Sequence, residues 1–161
     1  MSGLYENPKS ASERLLDALV FGFKEITQAS GYSNTIKDVF TEIPTPSQLV
    51  NHPSMALIMG RELTDWDDTE AMVNTLPVTL MVFIKEASNP TAARLTLKKD
   101  IQRRLGVNWM VPGEDDQPAC SVVKPTAYEP FGMFLNVPHV GFIMEIQIEY
   151  SQDVNDPTVS T

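Results

Sequence analysis

Cysteine occurs once in this chain, as Cys120, and histidine only twice, as His52 and His139. A single thiol excludes a disulfide within the chain, and a fold of this size does not need one. The two imidazoles lie far apart in sequence, each beside a proline, so soft metal ligands are scarce. No apolar run approaches the roughly 20 residues that a membrane-spanning helix requires. The opening MSGLYENPKSASE lacks the basic and apolar regions of a signal peptide. These absences predict a soluble protein made in a cytoplasm. Basic residues are outnumbered, 12 against 21 acidic, for a net charge of -9. Such a balance repels a phosphate backbone. The sequence contains no GxxxxGK, GxGxxG, HExxH or GxSxG, which weighs modestly against an enzyme.

What is present suits one folded domain. The chain has 161 residues, 42% of them hydrophobic, enough for a substantial core. Residues 1–9 read as a flexible arm and 156–161 as a flexible tail, leaving a single domain over 10–155. Ser10 and Glu13 have capping-box spacing. Leu15, Leu16, Leu19, Phe23 and Ile26 then recur at helical intervals, and Gly31 is a natural stop, so a first helix is predicted over about 11–29.

TIKDVFTEI (35–43) reads as a strand, PTPSQLVNHP (44–53) as a connection and SMALIMG (54–60) as a second strand. After the acidic link RELTDWDDTE, the stretch 72–87 alternates Leu76, Val78, Leu80, Val82 and Ile84 against Thr79, Met81, Phe83 and Lys85. Pro77 interrupts that strand and places its neighbourhood at an edge or bulge. A second helix is predicted over 88–106, capped by Asn89, with Pro90 in its first turn. Its stripe is Ala93, Leu97, Ile101 and Leu105.

Residues 107–118 read as a loop, 119–130 as a strand and FGMFLNVPHV (131–140) as a turn or excursion. In GFIMEIQIEY, Phe142, Met144, Ile146, Ile148 and Tyr150 alternate with Glu145, Gln147 and Glu149, the pattern of a half-wetted strand. The expected architecture is an α+β two-layer sandwich. A four- to five-stranded, mainly antiparallel or mixed sheet carries two amphipathic helices on one face.

The densest acidic group is Asp65, Asp67, Asp68 and Glu70, with Glu62. Carboxylates suit Mg²⁺ or Ca²⁺, but no glycine turns the chain among them as a calcium loop requires. The plainer reading is a solvated loop, and Glu114, Asp115 and Asp116 invite the same one. Trp66, inside the first group, is either a local anchor or a contact for a partner. Cys120 has no histidine beside it in sequence and reads as a buried structural thiol. His52 and His139 are possible general bases, though neither lies in a motif, and structural or surface roles are the ordinary reading.

Arg94, Lys98, Lys99, Arg103 and Arg104 make the second helix the one basic feature of an acidic chain. Three readings stand: a solvated face, contact with DNA, or contact with the acidic surface of a neighbouring copy, as in a closed ring. Met81, Phe83, Trp109, Met110, Val111, Met133, Phe134 and Leu135 are more apolar groups than one small domain buries, and surplus apolar surface marks assembly.

The order of these segments is itself recognisable. A helix runs into GYSNTIKDVF. PTPSQLVNHPSMALIMGRE and LPVTLMVFIKE follow, then a helix with LKKDIQRRL, and GFIMEIQIEYSQDVNDP closes the chain. The carrying features are Gly31-Tyr32, the Pro53 entry to the second strand, the helix before the last hairpin, and Tyr150-Ser151 with Asp156-Pro157. Over roughly 10–155 the chain resembles the tail terminator proteins of tailed bacteriophages, also treated as minor tail or neck proteins.

The resemblance implies a structural virion protein without catalytic residues, metal or cofactor. Its copies form a hexameric ring on the last ring of the tail tube, end its polymerisation and offer a surface to the head–tail connector. In a contractile tail the ring also meets the sheath. DNA passes through without specific binding. The strands around 55–86 are then parts of the ring and tube contact, and the loop 107–118 touches a neighbour or the connector. Asp65, Asp67, Asp68, Glu145 and Glu149 are expected to line the bore. The rivals are a head–tail connector or adaptor, a metal-dependent hydrolase using the 62–70 carboxylates, and a DNA-binding protein using the second helix.

Overall fold

The computed structural model describes residues 10–66, 71–85, 88–106 and 122–153. Helix α1 spans Ala11–Lys24 and is opened by the expected capping box, with the Glu13 N–H donating to Ser10 Oγ at 3.2 Å. It is shorter than the periodicity predicts. Thr27 is extended (φ -136°, ψ 152°) and caps a 3₁₀ turn, Gln28–Ser30, which Gly31 ends in the left-handed conformation (φ 92°). Gly31 is therefore a stop, but of the 3₁₀ turn. Ile26 still reaches the core from just beyond the helix.

Strand β1 is Asp38–Phe40, shorter than the expected 35–43. A 3₁₀ turn, Pro46–Gln48, precedes β2 (Ser54–Met59). Strand β3 (Leu63–Trp66) lies inside what the sequence reading treats as a link, and β4 follows at Ala71–Ile84. Helix α2 spans Pro90–Leu105 with the expected cap, the Ala92 N–H donating to Asn89 Oδ1 at 3.2 Å. Strands β5 (Val122–Phe134) and β6 (Val137–Asp153) complete the fold.

The result is an α+β fold built on a mixed, mostly antiparallel sheet of six strands, one more than the upper expectation. The order is β1-β2-β4-β6-β5, with β3 also pairing with β4, and only β1 and β2 run parallel. The extra strand arises because β2 and β3 lie end to end along one side of β4. Between them the Gly60 N–H donates to the Pro77 carbonyl at 2.8 Å. A strand residue's N–H and C=O point the same way, so the donor that Pro77 lacks faces this break. That is how an internal strand accommodates a proline.

Residues 131–140 are not an excursion. They continue β5 to Phe134, turn at Leu135 and Asn136, and begin β6. Both turn residues have positive φ, 48° and 63°, as a two-residue hairpin turn demands. Register shifts between Pro125 and Ala127 and between Phe131 and Met133 hide the period-2 pattern of this strand from the sequence.

One sheet face carries both helices. Leu76, Val78, Leu80, Val82 and Ile84 of β4 join Phe142, Met144, Ile146, Ile148 and Tyr150 of β6. Leu15, Leu19 and Phe23 of α1 and Leu97, Ile101 and Leu105 of α2 pack on them. Each fully buried aliphatic or phenyl group of this kind contributes about 1.5–3 kcal/mol. The opposite face has a smaller cluster at one end, formed by Leu49, Ala56, Phe83 and Phe134 with Phe40, Ile58, Met81 and Phe131 against it. Phe83 and Phe134, expected on a contact surface, are therefore interior groups, at 0% and 6% exposure. The hairpin and the segment before β2 bring their own apolar groups to cover Phe83.

Gly141 lies in this second cluster, opposite both Phe83 and Phe131. A Cβ there would collide with the Val82 carbonyl and the Phe131 ring. Gly141→Ala is expected to lower stability by about 1–3 kcal/mol, the usual cost of overpacking, as measured by urea unfolding.

Candidate functional site

The hairpin of β5 and β6 ends in the largest local concentration of exposed apolar groups among the described residues. Met133, Leu135 and Val137 are 57%, 58% and 41% exposed, while Phe134 between them turns inward to Phe83. The inward anchor fixes the tip, and the outward three make an apolar knob. Leu135 adopts a left-handed conformation that costs a β-carbon residue about 1–2 kcal/mol. Glycine or asparagine would relieve it.

Behind the tip His139, on β6, meets His52, which precedes β2 across a cis peptide to Pro53. Their Nε2 atoms are 3.1 Å apart, one ring donating to the other according to tautomer. His139 also packs edge-on against Phe83. Beside the pair is an open hollow of about 260 Å³ lined by Ile84, Lys85, Gly132 and Val140. Burial, then the charges of Lys85 and Lys37, lowers the His52 pKa below 6.5. Burial, then the charge of His52, lowers that of His139. Both imidazoles are thus kept neutral at neutral pH, so that the Nε2–H of one can donate to the bare Nε2 of the other. The contribution is fully present above pH 6.5 and is lost as pH falls through the lowered values. Sequence separation concealed the pair; the one available signal was that both histidines adjoin prolines.

The basic residues of α2 are largely engaged within the chain. Arg94 donates through Nε to the Gly141 carbonyl at 2.9 Å and through Nη2 to the Phe131 carbonyl at 2.8 Å, bridging β5 and β6. Lys98 sits 4.5 Å from the centre of the Tyr128 ring. Lys99 donates to Ser33 Oγ, and Arg103 donates to the Gly31 carbonyl while covering the Tyr32 ring. Arg104 donates to the Gly22 carbonyl and pairs with Glu25 at 2.7 Å.

Asp100 is the residue that sequence reasoning missed on this helix. It is wholly buried and accepts from the Ser33 N–H, the Asn34 N–H and Asn34 Nδ2 at 3.2, 2.9 and 2.9 Å. Its place one residue before Ile101 and three after Leu97 puts it on the buried stripe, a signal masked by its basic neighbours. Asp100→Ala strands these donors and is expected to cost about 2–4 kcal/mol by denaturant unfolding, with the 31–34 segment losing amide-exchange protection.

The acidic group is divided. Tyr150 donates to Glu62 Oε1 and lies 2.7 Å from Ser12 Oγ, so Glu62 faces the core edge while Asp65 stands exposed on β3. Asp67, Asp68 and Glu70 lie outside the described residues, as do Trp109, Met110, Val111, Glu114, Asp115, Asp116, Cys120 and the side chain of Trp66. Glu145 and Glu149 occupy the sheet face away from the helices, opposite Thr79 and Thr75 of β4. Met81 is half-buried there. Among the described residues no group of three or more His, Cys, Asp or Glu side chains is placed to hold a metal ion. Nor is any described helix long and apolar enough to cross a membrane.

Burial, then the hydrogen bond to Glu62, pushes the Tyr150 pKa up to about 12. A raised folded-state value means that this stabilisation is complete below pH 10 and is lost as pH rises through 12. Stability measured by urea unfolding is expected to fall across that interval. Tyr150→Phe, though less stable at neutral pH, should lack this component of the fall.

No family model matches the chain, and no curated protein matches it.

Proposed function

We propose that this protein is a structural assembly subunit that forms a ring of six copies closing the end of a phage tail tube.

 The observation that carries this reading is the hairpin tip, where three apolar side chains are held in solvent by a turn that Leu135 adopts at a cost. A contact that buries Met133, Leu135 and Val137 would recover that cost through their removal from water. The one-sided sheet supports the same reading, since its second face is covered only at one end by described residues. The acidic and hydroxyl groups of the open part, Glu145, Glu149, Thr75 and Thr79, suit a bore through which DNA passes without being gripped. The segment order that resembles phage tail terminators supplies the particular assembly. The partners are then further copies of this chain, the tail tube protein, the head–tail connector and, in a contractile tail, the sheath. The place of action is the virion neck.

A head–tail adaptor is the nearest rival, because it is also a small ring subunit. The hydrolase reading draws no support from Glu62, whose carboxylate is engaged by Tyr150. DNA binding through α2 is disfavoured by the internal use of its basic groups.

The test is incubation with purified tail tubes, followed by electron microscopy of their ends. Capped ends are expected, together with tubes of uncontrolled length in particles assembled without the protein. Normal tails that fail to join heads would indicate the adaptor instead, and bare tube ends would remove the terminator reading. Leu135→Asn is expected to keep or raise stability, by up to about 1 kcal/mol, because asparagine tolerates the left-handed turn. The same substitution should weaken capping, since it deletes the centre of the apolar knob.

A further inference from the structure

The geometry points to a metal site that the proposed function does not use: His52 and His139 together form a two-imidazole chelate for a divalent transition-metal ion of the zinc, nickel and copper class. The Nε2 atoms stand 3.1 Å apart. Two imidazole nitrogens bound at about 2.0–2.1 Å lie about 2.9 Å apart at a right angle and about 3.3–3.4 Å apart at the tetrahedral angle. The observed separation falls between these, so small ring rotations suffice to aim both lone pairs at one ion. In the metal-free protein the same spacing serves a hydrogen bond; on metal binding the donor ring gives up its Nε2 proton and carries one on Nδ1 instead, so both rings bind as neutral imidazoles.

Two further observations favour an ion at this place. The adjoining hollow is open, and among the described residues nothing lies within 4 Å of where a Cβ on Gly132 would project. Water molecules can therefore complete the coordination. Among the described residues no carboxylate lines the hollow, which favours imidazole-preferring ions over Mg²⁺ or Ca²⁺. Lys85 acts in the other direction. Its ammonium faces the same hollow and repels a cation, so this lysine limits the affinity. A bound ion would tie the segment entering β2 to β6, directly behind the hairpin tip.

The chain contains no other histidine, which makes the test clean. The full-length, untagged protein carrying Cys120→Ser, to remove its one thiol, is titrated with ZnCl₂ and NiCl₂ by calorimetry at neutral pH. One ion per chain is expected. His52→Gln and His139→Gln should each weaken binding by more than the roughly 10–100-fold that loss of an outer-shell partner costs. Lys85→Met should tighten it. Electron paramagnetic resonance of the Cu²⁺-loaded protein should show two imidazole nitrogens, a reading that needs no substitution and survives any variant that fails to fold. Absence of binding, binding indifferent to both histidines, or a single coordinated nitrogen would each overturn the site.

Discussion

The pairing of β4 with β6 sets the terms for everything else in this fold. The two strands run antiparallel from Ala71 opposite Asp153 to Ile84 opposite Val140. In that register the even-numbered residues of both strands share one face, and the row that floors the main core, from Leu76 to Ile84 and from Phe142 to Tyr150, is even-numbered. A slip by one residue would turn one row toward water and leave the helices without a floor. The register is held at separate points along its length. Gly60 and Pro77 define where β2 gives way to β3, Gly141 accepts the Phe131 ring where no side chain fits, and Leu135 and Asn136 close the hairpin. Each of these is a local geometric condition that only one alignment meets.

The polar interactions follow from the same frame. Helix α2 is held on the sheet by a short apolar row, and its charged groups extend that hold. Arg94 reaches carbonyls on β5 and β6, while Asp100, Arg103 and Lys99 fasten the 31–34 segment and Arg104 reaches α1. An arginine whose planar fork meets two carbonyl oxygens does what a lysine cannot, because its donors are arranged at fixed angles. The basic face that suggests a partner in the sequence is thus a device for joining elements of one chain.

The alternating rows of β4 and β6, the capping box at Ser10 and the Asn89-Pro90 start of α2 were legible because each rests on spacing along a continuous segment. The single-faced, two-helix α+β architecture follows from them. The short β3 was not legible: four residues inside an acidic link have no periodicity to read, and their pairing depends on a proline in another strand. The β5 register shifts erased alternation for the same reason. Of the candidate site, Met133 and Leu135 are legible as surplus apolar groups. Phe83 and Phe134 read the same way, because sequence cannot show a second, smaller core on the far face. The His52–His139 contact and the Asp100 network join distant segments, so neither could be read from local pattern.

The hairpin tip concentrates two costs that stability alone does not explain. Leu135 holds a left-handed conformation, and it and its apolar neighbours Met133 and Val137 remain in water although Phe134 is buried. A sequence shaped only for the isolated chain would place asparagine and glycine in the turn and polar groups around it. Asn136 already meets half of that requirement. Leu135 does not, and its conformation projects an apolar side chain from the end of the β5–β6 hairpin. A rigid, far-reaching apolar projection has little use in a monomer, whereas a subunit that must fit a neighbour or a tube end gains from having its contact group fixed before the encounter, because less ordering remains to oppose binding.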